Sequence, residues 1–252
     1  MQVTVKDWLN EWVEVYVNHC RKENTYLCNK YVITMILKQR PELSDLCLSD
    51  IDELYLQKLL NQAATKYSKS TLNKMRTVLR NAYDRAIRNK RCESNPALAL
   101  IIPEASEKSV RALTREEEIS IISAAQNDIL GHLAIFLLKT GLRSCELKNL
   151  RWDDYNSELN EIYIRKSKTK NGIRTVPLIQ EAKKIIESQP HYCDFIFTST
   201  KKQPVTKTVL RKLYCRLRTA TGIDMVTNHV YRHSFATRMV EKKPTITHYP
   251  KF

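Results

Sequence analysis

The chain has 252 residues, with 42 Lys and Arg against 27 Asp and Glu, a formal net charge of +15. Its length suits one large domain or two small ones, and an apolar content of 42% supplies a buried core. The basic excess favours a polyanionic partner, because each neutralised phosphate releases condensed counterions; with no bilayer-length apolar run and no signal-like N-terminus, membrane insertion and export are disfavoured.

The charge is uneven. Residues 1–100 carry 16 basic and 11 acidic side chains, and residues 101–252 carry 26 and 16, so the second part holds +10 of the total. Seven cysteines, an odd number with no C-x-x-C pair, read as reduced thiols of a cytoplasmic protein and neither a disulfide framework nor a zinc site. No metal and no cofactor is expected.

Residues 1–100 read as a helical domain. Val5, Trp8, Leu9, Trp12 and Tyr16 recur at helical spacing, and Tyr31, Val32, Met35 and Ile36 form a second apolar run. Ser49 is the expected cap of a third helix, with Asp52 at its third position, and Ser70 that of a fourth. The fourth carries Leu72, Met75, Leu79, Ala82 and Ala86 on one stripe, with Lys74, Arg76 and Arg80 among the basic residues on its other faces. Asn95-Pro96 closes the unit, and residues 101–113, mixed in charge and containing a proline, suit a linker.

A second domain is expected over residues 114–252. Thr114 begins a capped helix with acids in its first turn, and Gly141 ends another as a left-handed cap. Arg143 follows that glycine, just before a helix that Ser144 starts. Its planar guanidinium matches a phosphate, but alone it reads more readily as a helix-end arginine pairing with Glu146 or Asp153. "EIYIRKSKTKNGIRTVPL" alternates in β fashion around an Asn171-Gly172 hairpin turn, with Lys166, Lys168 and Lys170 before the turn. "DFIFTS" is a candidate short strand. Helices resume at Thr206 and near His229. Lys207, Arg211 and Arg218 share one side of the first, within a stretch of seven basic residues and no acid from Lys201 to Arg218, which suits a DNA backbone. On the second, His229 and Arg232 lie one turn apart and face one anion together, whereas His233 points elsewhere and is expected to pack into the core. The fold class is therefore mainly α with a small antiparallel sheet.

Taken in order, "TGLRSCELKNLRWDD", the lysine-bearing hairpin ending in "RTVPL", and "HVYRHSFAT" resemble the catalytic domain of the tyrosine recombinases, the phage integrase family. Residues 1–100 are similar to that family's SAM-like core-binding domain. The resemblance implies a site-specific recombinase that closes on double-stranded DNA as a clamp, assembles as an oligomer there, and cleaves and rejoins strands through a 3′-phosphotyrosyl link. It also implies that Arg143 and Arg232 clamp the scissile phosphate, that His229 assists, and that Lys168, with Lys166 as the fallback, is the general acid.

The resemblance departs at the C-terminal end. The family continues beyond its His-x-x-Arg helix to a nucleophilic tyrosine considerably further on than the 17 residues (249 − 232) that separate Arg232 from Tyr249 here, and "EKKPTITHYPKF" lacks an L-G-H segment. Two expectations stand: Tyr249 is the nucleophile, in cis or for a neighbouring protomer, or the nucleophile segment is missing and the chain is a DNA-binding remnant or competitor that occupies the recombination site.

Overall fold

The computed structural model describes residues 3–106, 111–165 and 172–241. The chain divides into two compact units, Met1–Ser109 and Val110–Phe252.

The first unit is helical: α1 (Val5–Trp12), α2 (Glu23–Gln39), α3 (Glu53–Ala64) and α4 (Lys69–Arg88), with a π-helical turn, Val13–Asn18, extending α1. The stripe expected on α4 is its buried face, joined by Val78 and Tyr83. Trp8 is buried against it, and its indole Nε1 donates to the Ala82 carbonyl at 2.9 Å, so a large apolar ring enters the core with its one donor satisfied. Two caps differ from expectation. Asp52, not Ser49, caps α3, its carboxylate accepting the Tyr55 N–H at 2.7 Å, because Leu48–Asp50 is already wound into a 3₁₀ turn. Ser68, not Ser70, sits at the start of α4, since the extended backbone needed of a cap occurs there. Beyond Pro96 the chain stays with this unit: Ala97 and Leu100 are buried, and Gln57 clamps Ile101 through two 2.9 Å bonds, accepting its N–H and donating to its carbonyl.

The second unit contains α5 (Arg115–Gln126), α6 (Gly131–Thr140), α7 (Ser144–Asn149), α8 (Gln180–Glu187), α9 (Lys207–Thr221) and α10 (Asn228–Glu241). Its sheet has strands β1 (Tyr155–Asn156), β2 (Glu161–Ile164) and β3 (Arg174–Pro177), antiparallel in the order β1-β2-β3. Thr114 caps α5 in a full capping box with Glu117. Ile162 faces Val176 and Ile164 faces Arg174 across β2–β3; Ile162, Ile164 and Val176 are buried while Tyr163 turns outward, the period-2 alternation seen in the sequence. Asn171 of the expected turn lies outside the described residues. "DFIFTS" forms isolated bridges, Arg151 with Phe195 and Thr198 with Pro204, instead of a strand; Ile196 and Phe197 are nonetheless buried. His233 is exposed, contrary to the expected core position, because Val230, Tyr231 and Ser234 take the buried face of α10. The chain before α5 is tied back by Leu113, whose side chain is buried and whose N–H donates to Ser234 Oγ at 2.8 Å.

Candidate functional site

Gly141 ends α6 in the left-handed region, φ 62°, with its N–H on the Leu137 carbonyl. A side chain there would be strained by that φ, and its Cβ would run into the Phe235 ring of α10. The chain then turns sharply enough that Arg143 becomes the N-cap of α7, in extended conformation two residues on.

Asn228, the first residue of α10, holds this corner. Its Oδ1 accepts the Ser144 N–H at 2.8 Å and its Nδ2 donates to the Leu142 carbonyl at 3.0 Å, so the two bonds straddle Arg143. One turn further along α10, Arg232 Nη1 donates to the Gly141 carbonyl at 2.5 Å. The start of α10 is thus fastened to residues 141–144 at three points. Burial, followed by the like charges of Arg143 and Arg174, presses the Arg232 guanidinium below its ordinary pKa, with Glu146 opposing. That mutual repulsion is the electrostatic mark of three cations collected in one place.

A carboxylate lies among them. Glu146, at the third position of α7, has a side chain with no exposed surface. It accepts the Arg143 backbone N–H at 3.0 Å and Arg143 Nη1 at 2.7 Å. Arg174, at the start of β3, forks onto it, Nη1 to Oε1 at 3.3 Å and Nη2 to Oε2 at 3.1 Å, and also donates to the Gly172 carbonyl at 2.9 Å. Burial alone would raise the Glu146 pKa, but the bonds from Arg174 and Arg143 hold it at about 2. The pairing of Arg143 with Glu146 that the sequence admitted is therefore present. It coexists with the nearness of Arg143 to Arg232 that their mutual repulsion marks. Three arginines around one carboxylate leave a local excess of positive charge, and Arg143 and Arg174 keep 35% and 28% of their side chains exposed.

The other expected residues fall as follows. His229 is exposed one turn before Arg232 on α10. Lys166, Lys168, Lys170 and Tyr249 lie outside the described residues. Lys207 and Arg211 are exposed on α9, whereas Arg218 is half-buried and donates from Nε and Nη2 to the Val226 carbonyl at 3.2 and 2.9 Å. In the first unit Lys74 and Arg80 are exposed on α4, while Arg76 is turned onto the Leu100 carbonyl and Asn73. Sequence reasoning named Glu146 as a pairing partner of Arg143 without placing it at the centre of a cluster, and passed over Arg174 and Asn228. Arg174 carried a signal, since the period of two places it on the same face as the apolar Val176, where an arginine is best accommodated by an acidic partner; Asn228 carried none beyond being a polar residue at a helix start. Among the described residues no cluster of His, Cys, Asp or Glu fits a metal ion, and no helix is long and apolar enough to cross a membrane.

Comparison with known proteins agrees in both units. Residues 4–64 match the phage integrase N-terminal SAM-like domain, and residues 111–247 match the phage integrase family. A tyrosine recombinase XerC-like protein of Caldanaerobacter subterraneus is 24% identical, over 95% of this chain and 73% of that protein. Among solved structures, a lambda integrase dimer bound to a COC′ core site is similar with a TM-score of 0.80 and 24% identity, over 96% of this chain and 71% of that one. The Tn1549 transposon integrase in complex with a circular intermediate DNA gives a TM-score of 0.80 at 20% identity, over 94% and 87%. Arg143, Glu146, Arg174 and Arg232 all fall inside the segment matched by the family, which spans more than half the sequence, and the chain belongs to the phage integrase family, the tyrosine recombinases.

Proposed function

We propose that the chain binds duplex DNA and is a site-specific recombinase that cleaves and rejoins strands through a 3′-phosphotyrosyl intermediate, with Arg143 and Arg232 gripping the scissile phosphate. The observation that carries this reading is the fastening of the start of α10, through Asn228 and Arg232, to residues 141–144, the corner that contains Arg143. Two guanidiniums aimed at one phosphate stabilise the charge that grows on its nonbridging oxygens in the transition state. His229, one turn before Arg232 on α10, assists, and Lys168, or Lys166, delivers a proton to the leaving 5′-oxygen as a tyrosine oxygen forms its bond to phosphorus. The phosphodiester energy is retained in the phosphotyrosyl bond, so no nucleotide cofactor enters. Within this chain the candidate for that tyrosine is Tyr249, acting on its own phosphate or on a neighbouring protomer's; the alternative reading is a chain that occupies the site without cleaving it. Assembly on DNA is supported by the similar lambda integrase, seen as a dimer on a core site and as a tetramer on a Holliday junction. Exposed Lys74, Arg80, Lys207 and Arg211, with Lys166 and Lys170, meet the backbone.

Covalent trapping tests this. On nicked duplex carrying the chain's footprint, a protein–DNA adduct is expected. Arg143→Ala and Arg232→Ala are each expected to lower its formation by on the order of 10²–10³ while leaving the footprint, and Tyr249→Phe is expected to abolish it. A footprint with no adduct from the wild-type chain contradicts the recombinase reading and leaves a protein that only occupies its site.

A further inference from the structure

Glu146 poses an electrostatic problem for the proposed phosphate grip. Its side chain has no exposed surface and it is held ionised by arginines. A buried carboxylate that loses its cation is strongly penalised. Arg143 is one of its partners, yet Arg143 is also the group that has to turn its charge to a phosphate. If Glu146 drew on Arg143 for its counter-charge, substrate and carboxylate would compete for one guanidinium.

Resting on the recombinase reading, we infer that Arg174 is a positioning residue that resolves this competition: it neutralises Glu146 and so lets the Arg143 charge turn to the phosphate. The geometry fits the role. Arg174 covers both carboxylate oxygens, whereas the Arg143 side chain bonds Oε1 at 2.7 Å. A third bond to the Gly172 carbonyl fixes the Arg174 guanidinium in place. Arg174 is also the less exposed of the two cations. The Arg143 backbone N–H on Glu146 Oε2 stays made whichever way the guanidinium turns, so the cap of α7 survives substrate binding. Arg174 thus acts through Glu146, not on the reacting atoms.

The test uses the full chain and orthovanadate as the probe, with the Nε–Hε signals of Arg143 and Arg174 followed by NMR. In the wild type the Arg143 signal is expected to move on titration and the Arg174 signal to stay. Arg174→Gln is expected to weaken orthovanadate binding at least tenfold. Removing the competing charge as well, in Arg174→Gln with Glu146→Gln, is expected to restore it to within about threefold, because the amide oxygen that replaces the carboxylate still accepts the Arg143 N–H. Arg174→Lys, which keeps a cation on Glu146, is expected to bind nearly as the wild type. A purely structural role predicts the opposite for the double variant, whose binding would be no better than that of Arg174→Gln; that result overturns the inference, and the double variant decides the matter even if Arg174→Gln alone does not fold. Wild-type affinity in Arg174→Gln overturns it too, and leaves the recombinase reading standing. A wild-type Arg143 signal that ignores the anion overturns both.

Discussion

Asn228 and Gly141 show how single residues set the site. Asn228 spends its amide on two backbone groups either side of Arg143, and only an amide of that length both accepts and donates there. Asn228→Ala is expected to lower stability by about 1–3 kcal/mol in denaturant unfolding, with a further loss of phosphate binding because the Arg143 corner loosens. Asn228→Asp puts a carboxylate oxygen against the Leu142 carbonyl and is expected to cost as much despite its similar shape. Gly141→Ala meets both the left-handed φ and the Phe235 ring, so a loss of about 2–4 kcal/mol is expected in the same measurement. Gly141 was legible as a cap because the glycine ended an apolar helical run. Asn228 was not, because its partners lie more than 80 residues away and nothing local marks them.

At the scale of elements, hydrophobic period carried most of what was readable. The α4 stripe, the capping box of α5 and the β2–β3 alternation follow from local spacing alone, and these local rules agree with the tertiary packing. The short α8 and the two-residue β1 escaped for the opposite reason: they are brief and held by packing, as the burial of Ala182 and Ile186 on α8 shows. Basic residues were legible as a class but not one by one. Lys207, Arg211 and Arg218 lie on one side of α9, yet Arg218 bonds the Val226 carbonyl. Lys207→Ala and Arg211→Ala are therefore expected to reduce the salt slope of duplex binding by about 1 each. Arg218→Ala is expected to leave that slope nearly unchanged and instead lower the thermal midpoint of the second unit. After α4, Lys90 is held at φ 55°, a conformation that suits glycine, with the Arg91 N–H returning to the Ala86 carbonyl. Lys90→Gly is expected to gain about 0.5–1 kcal/mol on denaturant unfolding.

For the whole molecule, each unit has its own buried cluster, and the charge and pKa shifts concentrate in the second. Glu146 and Glu117 both sit at about 2 against an ordinary 4.5, Glu146 through Arg174 and Arg143 and Glu117 through Arg111 and the Thr114 N–H. A depressed carboxylate contributes stability that is complete above its unfolded pKa and is lost as pH falls through its folded one. The second unit is therefore expected to lose stability between about pH 4.5 and 2, by on the order of 2–3 kcal/mol from Glu146, and Glu146→Gln is expected to flatten that part of the curve in acid unfolding followed by Trp152 fluorescence. The architecture and family were legible in the order of weak motifs, and Glu146 was legible as a partner of Arg143; its place at the centre of the cluster was not, since that comes from arginines brought together from the start of α7, from β3 and from α10. The central claim is that Arg143 and Arg232 hold one phosphate, and its most direct test is a crystal structure of the chain with orthovanadate. Both guanidiniums are predicted to bond the same ion at the 141–144 corner; an ion held by one of them alone, or seated away from that corner, would contradict the account.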